Sequence, residues 1–213
     1  MRFSIVAGSV SMTRESSQAG PEADLTRRAL LAAGGTVGVV AFAGCMGNDE
    51  DAPDPVSLDE GQACDVCGMQ IDAHPGPSGQ AFYGEGEALP ADRDQDEPAY
   101  FCSSLCSYDY VFDQEDLGYD PTVLYLTNYS EVDDWEVYEE EDILFITAHL
   151  DAEFFADATG LTMVAGSEVL GAMGQSIVGF SGADDAEAFA EEYGGNVVDH
   201  DDVSRELVDG LGS

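Results

Sequence analysis

Beyond residue 60 the apolar positions change period several times along the chain. "QAFYGEG" (80–86) alternates weakly as a strand does, and "EALPADRDQDEP" (87–98) is polar and turn-rich. "SSLCSYDYVFDQ" (103–114) places Leu105, Tyr108 and Phe112 at helical spacing, with Ser103 or Ser104 available as N-cap. "TVLYLTNY" (122–129) and "DILFITAHL" (142–150) are β-branched and aromatic, the composition of strands. Between them "SEVDDWEVYEEE" (130–141) is expected to be an acidic hairpin connection or insertion, and "GLTMVAGSEVLGAMGQS" (160–176) a glycine-rich loop. "QSIVGFS" (175–181) predicts a strand and "DDAEAFAEEYGG" (184–195) a helix capped by Asp184 or Asp185 and stopped at Gly194-Gly195. "NVVDHDDV" (196–203) closes as a short strand. Strand, helix, strand therefore occurs twice, which predicts an α+β fold of two small layers sharing a core.

The first 44 residues follow different rules. From Leu25, "LTRRALLAAGGTVGVVAFAGC" has paired arginines, Arg27 and Arg28, then an uncharged small and apolar run ending at Cys45. The run is short and glycine-rich for a spanning helix, and the arginine pair suits a twin-arginine export signal over residues 1–44. Phe42-Ala43-Gly44-Cys45 resembles a lipobox, in which Cys45 is lipidated and becomes the mature N-terminus. "MGNDEDAPDPVSLDE", acidic and without apolar period, completes a solvated tether over 45–59, leaving 60–213 as the folded domain. The expected location is outside the cell, lipid-anchored to the outer face of the membrane.

Charge narrows the class of partner. The 213 residues include 44 acids against six bases, a net charge of -38, and all six bases are arginine. Only Arg93 and Arg205 lie beyond residue 45, so the domain repels nucleic acid. In dilute salt that self-repulsion destabilises a compact state. Molar salt shortens the screening length to about 3 Å, which suits a halophile with a salt-rich interior and environment. With 10 Phe and 9 Tyr in the chain, most of them beyond residue 60, the domain is expected to fold rather than remain disordered.

The chemistry lies in sulfur. "CDVCGMQ" (64–70) carries Cys64, Cys67 and Met69, and "FCSSLC" (101–106) carries Cys102 and Cys106 at i, i+4, one turn apart on a helix start. Four cysteines are compatible with two disulfides, a C-x-x-C redox pair, a tetrahedral zinc site or a soft-metal cup. A thioether beside a thiolate favours Cu(I) over Zn(II), and Gly68 lets the backbone turn tightly enough for both sulfurs to face one point. Met173 precedes the "SIVGF" strand and can close over a metal; Met163 is read as packing. His74 is read as a turn residue, His149 as structural and His200, among Asp199, Asp201 and Asp202, as solvated. No Ser-His-Asp or acid/base constellation argues for catalysis, and the prolines and glycines after Cys67 (Pro75, Gly76, Pro77, Gly79) disfavour a thioredoxin-like oxidoreductase.

"CDVCGMQI", "AYFCSSLCSYDY" and "AMGQSIVGFSGADDAEAFAEEYGGNVV", following a lipoprotein leader, together resemble the NosL family of nitrous-oxide-reductase accessory lipoproteins. The resemblance implies an α+β fold of two ββαβ halves and a Cu(I)-binding lipoprotein that supplies copper to an exported copper enzyme, nitrous oxide reductase. Cys67 and Met69 match the family's Cys-Gly-Met and Met173 its later Met-Gly. Cys64 makes the C-x-x-C form, and Cys102 and Cys106 resemble instead the YHS and TRASH-type metal modules, which leaves Zn(II) in an interaction module as the alternative.

Overall fold

The computed structural model describes residues 52–212 apart from 59, 85–87, 92 and 95. The arginine pair Arg27-Arg28 and Cys45 lie outside the described residues. Among the described residues no helix is long and apolar enough to cross a membrane.

In chain order the elements are β1 (Gly79–Phe82), β2 (Ala99–Phe101), α1 (Ser104–Leu117), β3 (Val123–Thr127), β4 (Val137–Glu140), β5 (Ile143–Ile146), β6 (Phe155–Asp157), β7 (Thr162–Gly171), β8 (Gly174–Phe180), α2 (Ala183–Tyr193), β9 (Asn196–Asp199) and α3 (Arg205–Leu211). The α+β expectation holds. One sheet is antiparallel, in the order β2-β1-β3-β6. The other runs β4-β5-β7-β8, with β9 also on β7 and β5–β7 as its parallel pair. Two ββαβ halves are evident: β1-β2-α1-β3 pairs as β2-β1-β3, and β7-β8-α2-β9 pairs as β8-β7-β9, all antiparallel. Each helix follows the second strand of its half.

The centre of the second sheet, β7 and β8, is buried on both faces. Met163, Ala165 and Ile177 enter a large apolar cluster shared with the first sheet and α1. Val164, Val169, Val178 and Phe180 point the other way, into a smaller cluster closed by Ala186 and Phe189 of α2. A strand buried on both sides reads as a continuous apolar run, without alternation. That is why β7, ten residues long, falls where a glycine-rich loop was expected. Its Gly166 is at φ +70, at the register shift between Ala165 and Leu170, the left-handed residue that a bulge requires.

Other expectations are corrected in similar terms. Of the two readings of residues 130–141, the hairpin connection fails and the insertion remains, since β3 and β5 belong to different sheets. The segment lies between the two halves and carries β4. α2 starts one residue early, with Gly182 at the cap, no side-chain capping bond, and Asp184 and Asp185 in its first turn. Residues 53–58, expected in the solvated tether, are fastened to the domain. Gln80, fully buried in β1, accepts a hydrogen bond from Val56 N (2.9 Å) and donates to Val56 O (2.8 Å). Tyr125 donates to Pro53 O, and Leu58 is buried with its N–H on Leu150 O. The short elements β2, β6 and α3 have no distinct signal in the sequence.

The β4–β5 hairpin turns through Glu141 (φ 53) and Asp142 (φ 66), two side-chain-bearing residues in the left-handed region that such two-residue turns normally give to Asn-Gly. Replacing them as Glu141→Asn/Asp142→Gly is expected to stabilise the domain by about 1 kcal/mol, raising Tm by about 2–4 °C. Thermal melting in molar KCl measures it, and an unchanged or lower Tm would show that the turn carries no strain.

Candidate metal centre

Residues 62–71 fold back on themselves as a small knuckle. Ala63 and Gln70 form an antiparallel bridge, Ile71 N–H reaches Gln62 O (2.9 Å), and inside it Cys64 N–H reaches Met69 O while Gly68 N–H reaches Cys64 O, both at 2.8 Å. Gly68 is at φ +73 with nothing within 4 Å of where a Cβ would stand. Glycine is needed there for its backbone angle and not for space. The reversal brings Cys67 back over Cys64.

The second pair arrives on a separate element. β2 ends at Phe101 and delivers Cys102; Ser103 then caps α1, its Oγ accepting from Cys106 N (3.0 Å). The start of α1 is packed so tightly that its serines bond inward. Ser104 Oγ meets Ser176 Oγ (3.3 Å) and accepts from Ile177 N (3.0 Å), and Ser107 donates to Ser103 O.

Asp65 holds the two pairs together. Its N–H reaches Tyr100 O (2.9 Å), and its carboxylate accepts from Tyr100 N (2.7 Å), so the knuckle is pinned to β2 two residues before Cys102. Arg93 grips the same carboxylate at 2.9 and 3.2 Å, donates to Pro98 O and lies 4.2 Å over the Tyr100 ring. The arginine and aspartate side chains are only 13% and 11% exposed, so this pair escapes most of the screening that weakens surface ion pairs. Sequence reasoning missed both residues. Arg93 entered it only as charge, although an arginine in so acidic a loop is itself a signal.

The result is a sulfur cluster. The Sγ atoms of Cys64, Cys67, Cys102 and Cys106 all lie within 4.8 Å of one another, with Cys67–Cys102 at 3.4 Å and Cys102–Cys106 at 3.9 Å. All four are free thiols; Cys64, Cys102 and Cys106 are buried and Cys67 is exposed. A tetrathiolate site with metal–sulfur bonds near 2.3 Å has sulfurs about 3.8 Å apart, so this spread suits one ion. Hydrogen bonds from Cys102 and then Cys106 hold the Cys64 thiol far below its usual range. Cys102 is pushed far up by its bonds to Cys106 and Cys64 and by burial. Cys106 is lowered by its bond to Cys102 but raised more by Cys64 and burial, ending at about 12. The cluster thus favours one thiolate solvated by thiol donors, and further negative charge calls for a cation.

Met69 is half-buried at the base of the knuckle, its carbonyl held by Cys64. Met173, 40% exposed, lies on the β7–β8 turn, three residues before the Ser176 contact with α1. Met163 is fully buried and accepts a hydrogen bond from Tyr108, in keeping with packing. His149 bonds Thr147 and packs edge-on against Tyr129 and Phe154, where burial lowers its pKa. His200 is corrected: it is half-buried, its Nδ1 3.0 Å from the Tyr108 hydroxyl, because the turn after β9 folds onto α1. His74 follows the turn at Ile71–Ala73.

Comparison with known proteins bears on the family and the fold. The chain is 28% identical over 167 residues to the copper-binding lipoprotein NosL of Stutzerimonas stutzeri, covering 78% of this chain and 75% of that protein. The fold matches the crystal structure of the copper chaperone NosL from Shewanella denitrificans with a TM-score of 0.56 at 26% identity, over 73% of this chain and 98% of that one. Neither relative is named for a catalysed reaction. The NosL family profile matches residues 55–208, which begins within the segment fastened by Gln80, and the chain belongs to the NosL family.

Proposed function

We propose that this protein is a Cu(I)-binding surface lipoprotein that hands copper to an exported copper enzyme, in the maturation of nitrous oxide reductase. The observation that carries the reading is the asymmetry of the cluster: three buried sulfurs around one exposed one. Soft, partly reachable thiolates let Cu(I) pass between proteins by ligand exchange, with no change of oxidation state. Cys67 and Met69 form the accessible side, Met173 closes over it, and Cys64, Cys102 and Cys106 complete or guard the site. Cys45 anchors the chain through lipid after export directed by Arg27 and Arg28, and the acidic surface belongs to a salt-rich environment.

A second reading is a structural Zn(II) module, favoured by the four-sulfur spread itself, which suits tetrahedral zinc. Anaerobic titration of the reduced protein in high KCl separates the two. The copper reading expects stoichiometric Cu(I) capture that outcompetes Zn(II), and Cys67→Ser is expected to weaken it at least tenfold while His149→Ala does not. Tight Zn(II) with weak Cu(I) would replace the copper reading.

Because Cys102 and Cys106 are held protonated, ion capture must release protons, and affinity rises with pH about tenfold per unit for each proton released. Titration calorimetry in buffers of different ionisation enthalpy measures the number; no release would mean that these two thiols take no part. Arg93→Ala leaves Asp65 buried without its guanidinium and is expected to cost about 2–3 kcal/mol of stability and to weaken copper capture, with Arg93→Lys restoring little because one ammonium cannot reach both Asp65 and Pro98 O while lying flat on Tyr100. Denaturant unfolding and Cu(I) competition on the same variants check both effects.

A further inference from the structure

The smaller apolar cluster opens to the surface as a cavity of about 350 Å³, away from the four cysteines. Tyr129 and Phe180 form its floor, and Trp135, Phe189 and Tyr193 its walls. Neighbouring rings meet at 80° (Tyr129–Trp135), 54° (Trp135–Phe189), 47° (Phe180–Phe189) and 50° (Phe189–Tyr193), with centroids 4.9–6.0 Å apart.

Three carboxylates join this wall: Asp133, Asp185 and Glu192. Asp185 is fixed by the Ser130 hydroxyl at 2.7 Å, and Ser130 Oγ is itself held by Gly182 N. No arginine lines the cavity. The two guanidinium groups among the described residues are engaged elsewhere, Arg93 on Asp65 and Arg205 on Asp113 and Asp116. The carboxylates are also too dispersed to chelate a metal, since the only group of three or more donors close enough among the described residues is the cysteine cluster. Aromatic faces with diffuse negative charge suit a bulky, weakly hydrated cation, which a ring attracts without having to strip a tight water shell. The volume is at the small end for ligand sites.

We propose that this cavity binds a small quaternary ammonium ion of the choline type, its trimethylammonium head against Trp135 and Phe189 and its charge facing the three carboxylates. A zwitterion with its own carboxylate is disfavoured by the same groups.

Trp135 is the sole tryptophan, so its emission reports the site directly. The full chain is titrated with choline chloride while KCl is lowered to hold chloride constant. The expected result is a saturable emission change. Asp133→Asn/Glu192→Gln, two exposed positions, should raise the half-saturating choline about fivefold. Phe189→Leu should abolish the change with the far-ultraviolet circular dichroism retained. A response no different from KCl alone, or an unchanged midpoint in the carboxylate variant, would overturn the assignment. So would stronger binding of arginine amide than of choline, which would make the cavity a seat for a partner's guanidinium side chain. Cu(I) capture should be unaltered in these variants, so the outcome here is separable from the copper reading.

Discussion

The paired hydrogen bonds between Asp65 and the backbone of Tyr100 decide whether the four cysteines form one site or two. The knuckle and the start of α1 are separate elements, about 35 residues apart in sequence, and each alone presents only two sulfurs. Without the β2 contact the knuckle would lose its hydrogen bonds to the strand that delivers Cys102. With it, Cys67 and Cys102 meet at 3.4 Å and the thiols begin to share charge. The Arg93 guanidinium lends that contact direction, since one of its nitrogens reaches the carboxylate, the other holds Pro98 O, and its plane rests on Tyr100.

This use of arginine stands out against the charge of the chain. A domain with so many carboxylates gains little from one more dispersed cation, and both of its arginines are committed to specific work. Arg93 orders the centre. Arg205, exposed, bridges Asp113 and Asp116 and ties α3 to α1. The repetition of the ββαβ unit sharpens the contrast. Phe101 and Phe180 each end the second strand of their half and lead into a helix, but counted from these rings Cys102 and Cys106 stand where the second half has Ser181 and Asp185. One architecture thus carries thiols in one copy and oxygen groups in the other.

Much of the centre was legible because its chemistry is local. The C-x-x-C spacing, the i, i+4 cysteines and the Ser103 cap each lie within one short segment, and each is where the pattern put it. What was lost depends on distant contact. The grip of Arg93 on Asp65 joins residues 28 apart, His200 owes its burial to Tyr108, and β7 is a strand because two sheets and α2 cover both of its faces, which outweighs the glycines that suggested a loop. Gln80 belongs to the same group: a polar residue in a strand gave no hint that it would hold the chain entering the domain.

That grip of Gln80 on Val56 sets the length of a leash. With residues from Pro53 onward fastened to the domain, the span from Cys45 to Ala52 reaches at most about 25 Å even when fully extended. A chain attached to lipid at Cys45 would therefore carry its domain within about one domain diameter of the headgroups. Under that attachment any protein meeting the exposed Cys67 would have to do so within the leash plus the width of the domain, and lengthening the leash would change the place of the encounter without touching the sulfur site.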